Sequence, residues 1–268
     1  TPVFCDVNPV DYTIDVSKMT QLITEKTVAI LPVHVYGNLC DVEGIDIVAK
    51  KHNLKVLYDA AHTFGVKKNG VSTANFGDAA MFSFHATKVF HTIEGGGVTF
   101  SDQSLSAKLD SLKNFGMTSA TEVPFVGGNA KMSEFQAAMG LCNLRYLDEN
   151  LCKREVVVKR YRAHFSGVDG IQICPPQKGV SSNYAYFPVV FRSVQRDRVC
   201  LALEDQNIIA RKYFYPLTND FICYSEHSFK GDTPIARGIS EKVLTLPLYP
   251  DLPLEIVEQI CHIILSVV

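Results

Sequence analysis

Four apolar runs, each short enough to be a strand and each ending on or just before a polar residue, occupy the first hundred positions. They are TVAILPV (27–33), LKVLYD (54–59), DAAMFSF (78–84) and GGGVTFS (95–101). Continuous rather than alternating apolar strands are the pattern of a mainly parallel sheet covered on both faces. VEGIDIVAKKHN (42–53) sets Ile45, Ile47, Val48 and Ala49 ahead of a polar end, which suits a crossover helix between two such strands. The first half is therefore predicted to be α/β.

From about residue 102 the pattern turns helical. SDQSLSAKLDSLKNFG is predicted to start from a Ser101 cap and stop at Gly116. Residues 131–165 form one long helical stretch, bent or broken at Gly140 or Asn150, whose length suits a connector between two domains. After Gly167, YAYFPVVF and IIARKYF read as strands with RDRVCLALEDQN as a helix between them, and PLEIVEQICHIILSVV closes the chain as an amphipathic helix. This is a smaller α+β unit, with its boundary near residues 150–168.

Composition removes several functions. The net charge of −2, with no Arg/Lys run, gives no electrostatic basis for binding nucleic acid. No apolar stretch approaches the length of a membrane span, and the opening residues lack the basic leader and apolar core of a signal peptide. Eight scattered cysteines without a CxxC pair read as reduced, mostly buried thiols of a cytoplasmic protein. The chain begins with Thr1 and reads as a strand by its third residue, so a missing N-terminal segment is expected.

In open α/β sheets, ligands meet the carboxyl ends of the strands. His34, Asp59 and the stretch from Ser83 to Lys88 all fall at such ends. Lys88 follows Asp59 by twenty-nine residues. An amine and a carboxylate so placed match what pyridoxal phosphate chemistry requires: an amine for the aldehyde and an anion for the pyridine nitrogen. Lys88 must then have a depressed pKa, and Val89, Phe90 and Ile93 supply apolar surroundings. His62 could stack on the ring or bond its phenolic oxygen, and the Ser83 hydroxyl could reach the phosphate. Each residue also has a plainer reading: a surface lysine, a turn aspartate, a satisfied turn histidine. His85 and His91 flank the lysine at a spacing that fits no common zinc pattern, so no metal is expected. The EGGG run (94–97) lets backbone approach closely after the lysine.

In order along the chain, LPVHVYGNLCDVEGI, DAAHTFG, FSFHATKVFHTIEGGG, GGNAKMSEFQAAMGL and ARKYFYPL resemble the DegT/DnrJ/EryC1/StrS family of sugar aminotransferases. The resemblance runs through nearly the whole chain. It implies fold type I of the pyridoxal phosphate enzymes: a large domain, here 1–150 without its N-terminal part, and a small C-terminal domain with its connecting helix, 151–268. It implies a homodimer with shared sites. Asp59 matches the pyridine-nitrogen partner, His62 the neighbouring ring contact, Ser83 a phosphate ligand and Lys88 the lysine that holds the cofactor covalently. Asn129 matches an asparagine that reaches the other subunit's cofactor phosphate. His85, Arg211 and Tyr213 are candidate substrate contacts, with Lys212, Phe214 and Tyr215 beside them.

Dehydratase relatives carry histidine in place of the lysine, so Lys88 favours transamination. The implied reaction passes an amino group from glutamate to a keto group of a nucleotide-linked deoxysugar. C4 of dTDP-4-keto-6-deoxyglucose is favoured and C3 is the alternative. His91 stands where the resemblance leads one to expect asparagine. A second reading is a non-catalytic homologue that kept the fold. A nicotinamide enzyme would need a GxGxxG loop after an early strand, and the sequence has none.

Overall fold

The structure is a computed structural model that describes residues 1–226 and 231–268. In the first half, α1 (Val16–Met19), β1 (Ala29–Ile30), α2 (Val42–His52) and β2 (Lys55–Asp59) lead into two short strands, β3 (Lys67–Lys68) and β4 (Val71–Ser72). Strands β5 (Ala79–Ser83) and β6 (Gly96–Phe100) follow. Three helices come next: α3 (Leu105–Leu112), α4 (Glu134–Leu144) and α5 (Leu147–Phe165). The remainder holds β7 (Ile171–Ile173), β8 (Val180–Ser181), β9 (Pro188–Phe191), α6 (Arg196–Glu204), α7 (Pro234–Ser240), β10 (Val243–Thr245) and α8 (Leu254–Val267).

The central sheet has the order β1-β2-β5-β6, with the first three strands parallel and β6 antiparallel to β5. Helix α2 makes the crossover from β1 to β2. Its Asp41 cap accepts a bond from Gly44 N–H, and it ends at Asn53, whose left-handed φ of 52° suits a C-terminal asparagine. Val42, Ile45 and Ala49 of α2 pack on Val56, Tyr58, Ala80 and Phe82. Burial alternates along β2 and β5, because successive side chains point to opposite faces. The expectation of cover on both faces is corrected here: α2 covers one, while Leu57, Met81 and Val98 on the other stay 41–53% exposed within this chain.

The predicted long helix divides at neither Gly140 nor Asn150. Helix α4 ends at Leu144, and the backbone leaves helical geometry at Tyr146 (φ −107°, ψ 2°) before α5 begins. Helix α4 starts from a capping box in which Ser133 Oγ accepts from Gln136 N–H and Gln136 Oε1 accepts from Ser133 N–H. Gly140 lies inside α4 and is buried, because a Cβ there would stand 2.8 Å from Thr92 Cγ2. The Ser101 cap is also corrected: α3 begins at Leu105, after Asp102 has bonded Ser104 N–H in a local turn.

In the second half, β10-β9-β7 form an antiparallel sheet. Helices α5, α6 and α8 pack on it around Tyr161, Phe165, Phe191, Leu203 and Ile260, all at 0% exposure. The predicted strand in IIARKYF is absent. Only Arg211 pairs, with Thr245, and Tyr213 and Tyr215 then bond back to Arg211 and Lys212 in tight turns. The two halves meet where β8 pairs with β3 and where Tyr12, Tyr36, Val190 and Val243 share a third core. All eight cysteines are unpaired, and four of them are buried.

Candidate active site

The site grows from the carboxyl ends of β2 and β5. Asp59 is the last residue of β2, lies opposite Met81 in the register, and accepts Ala61 N–H on Oδ1 at 3.0 Å. Ser83 ends β5 on the same face as Met81, with His85 N–H a long 3.5 Å from its Oγ. The chain then loops through 84–95 and returns as β6, pairing Gly96 with Ser83. Lys88 rides on this loop, its N–H donating to His85 O at 2.9 Å.

Aromatic packing holds the loop from beneath. Phe64 stacks on Phe90 at 4.3 Å, and Phe84 meets both rings edge-on at 5.5 and 5.0 Å. Phe84 N–H donates to Gly95 O and Thr92 N–H to Phe84 O, which closes the base of the loop. A Cβ on Gly95 would strike the Thr92 hydroxyl at 2.2 Å, so the glycine run serves close approach as the sequence suggested.

A narrow cleft beside these rings, lined by His62, Phe64, Lys88, Asn183, Ala185 and Tyr186 among others, leaves a cavity of ≈ 10 Å³, about the space of one water. Burial pushes the Lys88 amine below its ordinary value, and the Asp59 charge partly opposes that shift. His62 is buried, and burial followed by the Lys88 charge takes it down to about 3. It is therefore neutral near pH 7. Its Nδ1 accepts Tyr36 N–H at 3.1 Å, which fixes the remaining ring proton on Nε2.

The structure thus brings Asp59, His62 and Lys88 together, with Ser83 at the adjacent strand end. His34 does not join them. Its ring is fully buried, stacks on Tyr58 at 4.6 Å and accepts Cys40 N–H, and burial lowers it to about 4. His85 is exposed and engages Thr87 and Glu94. Asn129 is exposed and pairs with Asn114; it does not line the cleft. Burial raises the Tyr186 hydroxyl, and Arg211 opposes that shift, so the exposed Arg211 carries positive charge toward the cleft wall. Lys212 instead pairs with Asp197 at 2.9 Å. Tyr213 packs on Tyr186 at 5.7 Å and on Phe214 at 3.7 Å. His91 is gripped by α4, where Asn143 donates to its carbonyl at 2.9 Å. Among the described residues no group of three or more His, Cys, Asp or Glu is arranged to hold a metal ion.

Two contributors were not named from sequence. Asn183, 1% exposed, donates to His62 O at 2.8 Å and Phe64 O at 2.9 Å, and accepts Ala185 N–H at 3.1 Å. Tyr186 meets His62 edge-on at 4.8 Å. Both come from the segment before β9, more than a hundred residues from Asp59, and no local periodicity announces them. The uncharged SSNY run, buried in part ahead of a strand, was the available signal.

A two-unit α/β fold with a carboxylate at a parallel strand end and a half-buried amine on the loop after the next strand is that of the type I aminotransferases, and solved structures bear this out. DesI, crystallised in the presence of its TDP-sugar product, superposes with a TM-score of 0.90 at 30% identity, covering 98% of this chain and 68% of that one. The pyridoxal phosphate form of Spr1654 from Streptococcus pneumoniae gives 0.90 at 25% identity over 100% of this chain and 76% of that one. The chain belongs to the DegT/DnrJ/EryC1/StrS aminotransferase family, which it matches over residues 1–265. It is 42% identical to dTDP-4-amino-4,6-dideoxy-D-glucose transaminase of Shigella dysenteriae over 262 residues, 97% of this chain and 71% of that protein.

Proposed function

We propose that this chain transfers an amino group from glutamate to the C4 keto group of a nucleotide-linked deoxysugar such as dTDP-4-keto-6-deoxyglucose, using pyridoxal phosphate. The observation that carries the reading is the meeting of Lys88 and His62 in one cleft, with the Asp59 charge acting on the Lys88 amine. The likeness to the Shigella transaminase supports the C4 assignment.

The donor set fits the cofactor: a partly desolvated amine, a carboxylate whose charge the amine feels, a neutral imidazole and a strand-end hydroxyl. When bound, pyridoxal phosphate supplies an aldehyde for amines and a ring that accepts electrons released at the donor carbon. Asp59 keeps a proton on the ring nitrogen. His62 offers its Nε2–H and one ring face, and Ser83 offers its hydroxyl to the phosphate. Lys88 moves the proton: its neutral Nζ takes one from the donor's α carbon and returns it on the other side of the transfer. The depressed pKa keeps more of the amine neutral at a given pH, which this role needs. Tyr186, Tyr213 and Arg211 face the sugar nucleotide.

Residues 1–150 act as the cofactor-binding domain and 151–268 as the small domain with its connecting helix. Two copies form a homodimer in which Asn129 serves the partner's cofactor phosphate. No helix among the described residues is long and apolar enough to cross a membrane, and we place the reaction in the cytoplasm, where unpaired cysteines persist.

The test is an absorbance spectrum with pyridoxal phosphate, before and after glutamate. A covalent lysine–cofactor band that converts to the pyridoxamine form is expected, and Lys88→Ala abolishes it and lowers turnover by at least about a thousandfold. Turnover persisting in Lys88→Ala would overturn the assignment. Mixing inactive Lys88→Ala and Asn129→Ala chains should regain activity, because a hybrid dimer holds one complete site. No regain would refute the shared site.

A further inference from the structure

Tyr36 belongs to no part of the chemistry above and does not line the cleft, yet it bonds His62, which does, and the Tyr213–Phe214 segment that packs behind two lining residues, His62 and Tyr186. It is buried at 6% exposure with a left-handed backbone (φ 59°, ψ 7°), an uncommon conformation for a bulky residue. Its N–H donates to His62 Nδ1 at 3.1 Å. Its hydroxyl donates to Tyr213 O at 2.6 Å and accepts Phe214 N–H at 3.2 Å. Phe214 in turn lies flat on the His62 ring, centroids 5.5 Å apart and planes within 16°. One residue therefore holds the imidazole by an edge and sets the ring that covers its face. It does so across 177 residues of sequence.

We infer that Tyr36 is a positioning residue that locks the His62 ring and the Tyr213–Phe214 wall into one rigid unit, so that the substrate side of the cleft and the ring-contacting histidine cannot move independently. The inference rests on the aminotransferase reading for what the wall does, and on geometry alone for the lock. The hydroxyl is a strong choice for a clamp, because a single oxygen satisfies a carbonyl and an N–H on adjacent, partly buried residues. Left-handed backbone at Tyr36 is over-determined by these bonds and by ring packing with Phe214 at 5.7 Å and Tyr186 at 6.1 Å. The neighbouring Gly37, at φ 89°, leaves room for the Asn183 amide, since a Cβ there would stand 3.0 Å from Asn183 Oδ1. The turn thus abuts the other clasp of the cleft as well.

The test is Tyr36→Phe, read by the His62 ring resonances in a histidine-labelled protein, assigned with His62→Gln. In the parent the signals report an Nε2–H tautomer under the ring current of Phe214. Tyr36→Phe is expected to shift them, and to raise KM for the sugar nucleotide by about five- to tenfold with kcat within about twofold. Phe214→Leu, which keeps both hydroxyl bonds but removes the covering ring, is expected to shift the same resonances and remains informative should Tyr36→Phe fold poorly. Tyr161→Phe is the control. It deletes an equally buried hydroxyl, bonded to Pro247 O at 2.9 Å in the other core, and should move neither readout. Unchanged His62 signals in both cleft variants, an unchanged KM in Tyr36→Phe, or an equal response in Tyr161→Phe overturns the inference. Failure of the parent to take up pyridoxal phosphate overturns the functional reading instead and leaves the resonance test of the lock standing.

Discussion

Alanine at position 140 sets two familiar effects against each other. Gly140 lies in the middle of α4, where alanine gains about 1 kcal/mol of helix propensity. The added Cβ would stand 2.8 Å from Thr92 Cγ2 and 3.6 Å from Phe90 Cζ. Thr92 cannot step aside, because it is β-branched, 2% exposed, and donates its hydroxyl to Glu94 O at 2.8 Å. Overpacking of this kind costs about 1–3 kcal/mol. The clash wins, and Gly140→Ala should be less stable by about 1 kcal/mol, or roughly fivefold in the folded-to-unfolded ratio. The displacement does not stay local, since Thr92 N–H bonds Phe84 O at the base of the lysine loop. Cofactor binding should weaken in the same variant. Urea unfolding midpoints at constant slope measure the first effect, and absorbance titration with pyridoxal phosphate measures the second. A raised midpoint with unchanged cofactor affinity would refute the reasoning, since propensity alone would then govern the site.

Asn183→Ala removes three hydrogen bonds, one of them fully buried, and should cost about 3 kcal/mol in denaturant unfolding, with cofactor affinity falling alongside; a loss under about 1 kcal/mol would show that water replaces the amide. Stability should fall as pH drops from about 6.5 toward 4, because the unfolded chain protonates His34 and His62 there while the fold holds them neutral down to about 4 and about 3. The unfolded state binds more protons in that window, so stability rises with pH through it, and His34→Asn should flatten the curve by at most about 3 kcal/mol. Asp59→Asn should retain the covalent cofactor band yet lose on the order of a hundredfold in turnover, as single-turnover kinetics would register.

The strand ends beside Asp59 and Lys88 were legible because Asp59 closes one apolar run and Lys88 follows the next by a few residues, and a strand's end is a place that sequence marks. Helices α2, α6 and α8 were legible for a related reason: one stripe of each must face a core, and the stripe repeats. The break at Tyr146 was not, because the residue that looked like a weak point, Gly140, serves a contact with Thr92 forty-eight positions away. The strand expected in IIARKYF failed because its aromatic residues are claimed by Tyr36 and Tyr186, not by a neighbouring strand. His34 shows the opposite error, a polar residue at a strand end whose ring turns inward, where Cys40 N–H bonds Nδ1 and the buried Nε2 has no hydrogen-bond partner.

The loop carrying Lys88 closes a hairpin between adjacent strands, while Asn183 clasps its partners across 119 and 121 residues. Short closures form readily and long ones carry a larger entropic cost before any contact rewards them. The amine's platform should therefore assemble early in folding and the opposing wall late. Weakening the wall with Asn183→Ala would then speed unfolding and leave the folding rate nearly untouched. The loop that carries the amine is closed by neighbours in sequence, and the wall by residues that must wait for the rest of the chain.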